Sequence, residues 1–188
     1  MKKGIIIAHP WKESFNHAIL QALKEGFTEG QVNFEVIDLH ADDFNPVYTA
    51  KELSKYKDGV ALDPIVFKYQ ETLKNIDELI IIFPIWWYSV PAILKGFFDK
   101  VMLKGFSYEE SPSGLKGKLS HIRKTTIITT SEGPTWYIKL FKGNFINGVF
   151  KKGILRDIGI KNTKWINFSN IKSSTKEKRE KFLKELNV

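Results

Sequence analysis

The stretch ELIIIFPIWWYSVPAILKGFF, residues 78–98, holds an unbroken apolar run, a bend between two prolines, and a second apolar series at a new spacing. The run ELIIIFP (78–84) does not alternate polar with apolar residues, as a strand with one wet face would. It reads as a strand buried on both faces, the pattern of a parallel sheet. After Pro91, residues Ile93, Leu94, Phe97, Phe98, Val101 and Met102 keep helical i, i+3, i+4 spacing, and proline suits a first helical turn. Between strand and helix stand Trp86, Trp87 and Tyr88. Three adjacent rings on a loop cannot all enter one core, so at least one is expected to line a surface or a ligand.

Other strand and helix patterns flank this unit on both sides. GIIIA (4–8), FEVIDL (34–39) and KTTIITTS (124–131) read as strands, and KWINFSN (164–170) as a weaker fifth. A helical stripe runs through Phe15, Ala18, Ile19, Ala22, Leu23 and Phe27; another, Phe182, Leu183 and Leu186, follows a capping box from Ser174 to Glu177. Strands alternating with helices imply right-handed βαβ units, hence an α/β three-layer doubly wound sandwich with a five-stranded parallel sheet in the order 2-1-3-4-5. No repeat or linker divides the chain, so residues 1–188 are expected to form a single domain. Segments 40–77 and 132–163 read as irregular, the places where function-specific loops belong.

Composition narrows the chemistry. Across 188 residues there is no cysteine, which excludes disulfides, thiolate metal sites and a cysteine nucleophile; no metal site is expected, and redox chemistry would need a bound cofactor. The net charge is +8, yet the lysines are scattered, and the densest run, KSSTKEKREKFLKE (172–185), alternates in sign like a solvated helix face. No nucleic-acid motif accompanies them, so no nucleic-acid partner is expected. The absence of any apolar run near the roughly 20 residues that span a bilayer points to the cytoplasm.

In an open α/β sheet, ligands bind beyond the carboxyl ends of the strands, where the strand order reverses. Three segments meet there: HPWKESFNHA (9–18), PIWWYSVP (84–91) and TTSEGPTWY (129–137). Ser14 can cap the first helix, whose free N–H groups and positive end, with His9 nearby, suit a phosphate; an ordinary cap beside a solvent-facing histidine fits equally. The aromatic loop suits a planar ring system, or roofs the core, or forms a dimer patch. Thr129, Thr130, Ser131 and Gly133 can meet the polar edge of a ring, or form a plain polar loop. Neither a G-x-G-x-x-G nor a Walker pattern is present.

Taken in order, AHPWKESFNHA, FPIWWYSVPAILKGFFDKV and TTSEGPTWY resemble the flavodoxin-like NAD(P)H quinone oxidoreductase family, which includes the mammalian quinone reductases and bacterial ancillary flavoproteins of potassium-efflux systems. The likeness runs from about residue 4 to 137. It implies a flavodoxin-like fold and a bound flavin, FAD or alternatively FMN, with NAD(P)H as co-substrate and quinone-like acceptors reduced by ping-pong hydride transfer. It assigns the flavin phosphate to His9, Ser14, Phe15 and Asn16, the ring to Pro84, Ile85, Trp86, Trp87 and Tyr88, and its polar edge to Thr129, Thr130, Ser131, Glu132 and Gly133. Gln70 takes the place of a family glutamine that contacts cofactor, and Tyr137 that of a catalytic tyrosine whose partner histidine would fall near Gly143. Ser131-Glu132 replaces the family's glycine pair and brings a carboxylate to the ring. The likeness also implies a homodimer. A one-electron carrier, or a regulatory flavoprotein peripherally associated with a membrane transporter, are the alternative readings.

Overall fold

A computed structural model of the protein describes residues 1–186. The aliphatic runs become β1 (Lys2–Ile7), β2 (Asn33–Asp38), β3 (Glu78–Pro84), β6 (Lys124–Thr130) and β7 (Thr163–Phe168), all parallel in the spatial order β2-β1-β3-β6-β7. That is the expected 2-1-3-4-5 order, with one hairpin, β4 (Tyr108–Ser111) and β5 (Gly114–Gly117), outside the sheet.

Successive strand residues feed separate cores. Ile5, Ile7, Ile80, Ile82 and Ile128 pack with Ile19, Leu20, Leu23 and Phe27 of α1 (Phe15–Glu29), and Phe182 and Leu183 of α6 (Lys176–Lys184) lie against that cluster. Ile6, Ile81, Phe83 and Ile127 pack instead with α3 (Pro64–Lys74), α4 (Ala92–Val101) and the π-helical segment Ile146–Leu155. The two-residue period of a strand makes this division, and burial on both sides explains why the strands read as continuous apolar runs.

Segments expected to be irregular are partly regular. Residues 40–77 contain α2 (Ala50–Ser54) and α3, whose start is fixed by Pro64 behind Asp63, the carboxylate accepting from Ile65 N–H at 3.1 Å. Its buried positions, Val66, Tyr69, Gln70 and Leu73, hold too few aliphatics to stand out. Residues 132–163 contain α5 (Thr135–Phe141) and the π-helical segment. The expected Ser174 box is displaced by one residue: Thr175 caps α6, accepting from Lys178 N–H at 3.3 Å, while Ser174 Oγ donates to the Ile171 carbonyl at 2.7 Å.

The chain between β2 and α3 is fastened to α4 by a buried cation. Lys100 is 3% exposed; its ammonium lies 2.8 Å from Glu52, 3.6 Å from Asp63 and 3.0 Å from the Asn45 carbonyl. Gly96, one turn earlier, admits Pro46, whose backbone would lie 2.4 Å from any Cβ there. Removing one partner of a buried ion pair strands the other, so Lys100→Ala should lose about 3–5 kcal/mol of unfolding free energy in urea titrations. Lys176→Ala, which loses only an exposed pair with Glu180, should stay within about 0.5 kcal/mol.

Candidate functional site

β3 and β6 end level, Pro84 opposite Thr130, and β1 ends nearby at Ile7, opposite Ile82, so the segments that follow the three strands share one edge of the sheet. β2 and β3 lie on opposite sides of β1, which makes this edge the point of reversal. A cavity of about 930 Å³ opens there. His9, Ser14, Phe15 and Asn16 line one part, residues 84–88 another, and Thr130 to Gly133 a third.

The helix end is built for an acceptor-rich guest. Ser14 has extended backbone (φ −69°, ψ 156°) and its hydroxyl accepts from His17 N–H at 3.3 Å, while the other N–H groups of the first turn have no intrahelical acceptor. Asn16 is buried; its amide nitrogen donates to Thr130 Oγ1 at 3.1 Å, and its amide oxygen has no hydrogen-bond partner among the described residues. His9 Nδ1 accepts from Trp11 N–H at 3.1 Å, which leaves Nε2 for another contact. Burial, and then the charge of His17, hold the His9 pKa below its usual 6.5, so the ring is neutral at pH 7.

The three aromatics divide their tasks. Trp86 and Ser89 exchange backbone hydrogen bonds of 3.2 and 2.9 Å, closing a tight two-residue reversal at Trp87 and Tyr88. Both of those residues have left-handed backbone, φ 48° and 59°, where a reversal of this kind normally takes Asn or Gly. For bulky side chains such a conformation costs about 1–3 kcal/mol each and marks a site held for a purpose other than packing. Trp86 lies edge-on to His9, its ring centre 5.9 Å away; Trp87 is 95% exposed; Tyr88 lies under the Lys142 ammonium, 4.7 Å from the ring centre.

Thr129, expected beside Thr130, faces away from the cavity. Its hydroxyl donates to Asn167 at 2.6 Å and accepts from Trp165 Nε1 at 2.8 Å, because β6 continues through Thr130 and its side chains alternate. Ser131 Oγ donates to the Gly133 carbonyl at 2.8 Å and accepts from Asn167 at 2.9 Å. Gln70 is not brought to the cavity: it is buried on α3, its amide nitrogen donating to the Val101 carbonyl at 2.9 Å. Nor does Tyr137 line it. Its ring is stacked on Phe141 at 5.7 Å, and Ile138, the next residue of α5, takes the wall position.

The wall is completed by Trp11 and Glu13, which lie in the first quoted loop without having been assigned to the site, and by Ile171, Lys172 and Arg179 from outside the quoted loops. Arg179 is held by Ser174 Oγ at 2.7 Å and the Ile171 carbonyl at 3.0 Å, its guanidinium 6.0 Å over the Phe15 ring. Lys172 reaches Glu132 at 2.6 Å. The charge run 172–185 thus sends two cations to the cavity, which its alternating signs do not reveal.

A protein family described as having a flavodoxin-like fold matches residues 1–187. The chain belongs to that family. Among its flavodoxin-like relatives, an uncharacterized NAD(P)H oxidoreductase of Haemophilus influenzae is 29% identical over 91% of this chain and 85% of its own. The NAD(P)H dehydrogenase [quinone] 1 of Rattus norvegicus is 30% identical over 82% of this chain, but the match spans only 64% of the rat protein. The solved NAD(P)H:quinone oxidoreductase from Methanothermobacter marburgensis superposes with a TM-score of 0.82 at 27% identity, covering 98% of this chain and 92% of its own.

The strained reversal gives a stability test. Trp87 buries almost nothing of its side chain, so Trp87→Gly should relieve the backbone and raise unfolding free energy by about 1 kcal/mol, or roughly 2–4 °C in Tm by calorimetry.

Proposed function

We propose that this protein is a flavin-dependent NAD(P)H:quinone oxidoreductase. The observation that carries the reading is the meeting, in one cavity, of a helix N-terminus holding an unpartnered amide atom and a row of aromatic side chains on a tight backbone reversal. The residues present fit a flavin. Either orientation of the Asn16 amide leaves one polar atom free beside the exposed N–H groups of α1, which is what a phosphate or ribityl chain can satisfy. The cavity volume lies near the top of the range of about 300–1,000 Å³ for small-molecule sites, enough for a flavin; Gln70, expected at the cofactor in FAD-binding members, lies away from it, which favours FMN over FAD.

Ser14, Asn16 and the first turn of α1 would hold the phosphate, with neutral His9 offering Nε2–H as a donor. Ile85 to Tyr88 and Thr130 to Gly133 would border the ring. When bound, flavin supplies two-electron chemistry, taking a hydride from NAD(P)H to leave NAD(P)⁺ and passing it, with a solvent proton, to a quinone that departs as hydroquinone. The chain's own part is to fix the ring against one shelf that nicotinamide and quinone occupy in turn, a ping-pong order, and to keep water from its covered face. The left-handed backbone at Trp87 and Tyr88 serves that purpose by setting the shelf before any guest arrives.

The working unit is a homodimer in the cytoplasm. Trp87 at the cavity and Trp136, Leu140 and Phe141 on α5 are large apolar side chains left exposed, the kind of surface that favours association. Sedimentation equilibrium of the flavin-loaded protein should give twice 21.7 kDa at micromolar concentration; a monomer with full activity would sink the dimer.

Purified protein should be yellow, release FAD or FMN identifiable by mass on heating, bleach stoichiometrically with NAD(P)H alone, and turn over NAD(P)H repeatedly when a quinone is supplied; a colourless protein that takes up neither flavin would refute the proposal. The double variant Ser14→Ala, Asn16→Ala should lose flavin by gel filtration while remaining folded. Tyr137→Phe should lower turnover by no more than about threefold, or roughly 0.7 kcal/mol, because its ring stands off the cavity wall.

A further inference from the structure

Glu132 lies in the segment after β6 and Lys172 in the turn after β7, and their charged ends meet at 2.6 Å on the cavity wall. Most exposed ion pairs of this kind are accidents of side-chain reach. Here the main chain sets the approach. Ser131 N–H donates to the Phe168 carbonyl and Ile171 N–H to the Ser131 carbonyl, each at 3.0 Å, so each charged residue directly follows a residue fixed by backbone bonding. The pair closes across two loops that cannot drift apart without breaking both bonds.

We propose that this pair sets the reduction potential of the bound flavin, with Lys172 neutralising a carboxylate that would otherwise oppose reduction. The inference rests on the reading that the cavity holds a flavin. NAD(P)H delivers two electrons and one proton as hydride and leaves as NAD(P)⁺, so the ring gains one negative charge. A carboxylate on the same wall disfavours that gain and a cation favours it. The sign follows from the charges alone, whichever way the ring is turned. In the open cavity the two side chains are 67% and 77% exposed and water screens them. A ring system between them and the rest of the wall displaces that water and strengthens their field. Glu13, Arg179 and His9 also line the cavity, and they stay unchanged across the comparison.

The test uses four flavin-loaded proteins: wild type, Lys172→Met, Glu132→Gln and the double variant. Midpoint potentials come from equilibration with a reference dye, and oxidised-flavin affinity from fluorescence titration. Lys172→Met should shift the potential negative and Glu132→Gln positive, each by a three- to tenfold change in the ratio of affinities for reduced and oxidised flavin. For a two-electron couple that is about 14–30 mV. The double variant should return most of the way to wild type, and added salt should shrink both shifts. If wild type and variants bind flavin but their potentials coincide, or both single variants move in the same direction, the pair has no such role and the flavin reading stands. If wild type takes up no flavin, the flavin reading falls and this inference falls with it.

Discussion

One hydrogen bond holds the functional edge together: Ile85 N–H to the Thr130 carbonyl, 2.8 Å. The Ile82 carbonyl accepts from Ala8 on the β1 side, so the N–H that Pro84 lacks would also face β1, and the pairing toward β6 runs on past the proline to Ile85. The aromatic loop begins at that point and inherits its position from β6. Thr130 then works in two directions. Its carbonyl anchors the aromatic loop, and its hydroxyl accepts from Asn16 at the start of α1. Ser131 carries the linkage on to β7 through Phe168 and Ile171. Loops that arise far apart in the chain are therefore positioned by two consecutive residues.

The sheet could be read from sequence because burial on both faces leaves a plain mark, the uninterrupted aliphatic runs of β1 and β3. α3 left no such mark, since Val66, Tyr69 and Leu73 are spaced among polar residues and one buried position is Gln70. The hairpin of β4 and β5 is mostly exposed and charged, so no hydrophobic alternation announces it. For the α6 cap, two hydroxyls stood side by side in Ser174 and Thr175, and only the chain direction after Ile171 decides between them.

Much of the candidate site was legible for a different reason. His9, Ser14 to Asn16, and residues 84–88 are contiguous stretches that leave strand ends, so their place follows from the topology. Where a single residue had to be chosen, side-chain direction governed the outcome. The run of hydroxyls at Thr129 and Thr130 is split by strand alternation, one to β7 and one to the cavity. On α5, a turn of about 100° per residue gives the wall to Ile138 and leaves Tyr137 stacked on Phe141. Lys172 and Arg179 reach the cavity only because β7 brings the chain back beside β6, a return that no local pattern encodes.

The unpartnered amide atom of Asn16 has a consequence for the life of the protein in a cell. A buried polar atom without a partner costs about 1–3 kcal/mol, and a guest that meets it restores that amount only while bound. That contact is part of the guest's Kd, and at 100 times that Kd the whole stabilisation by mass action is about 2.7 kcal/mol. The empty chain unfolds more often, and chaperones and proteases act on what unfolds. With a guest on that atom, steady-state abundance would rise with the supply of the guest through folding stability alone.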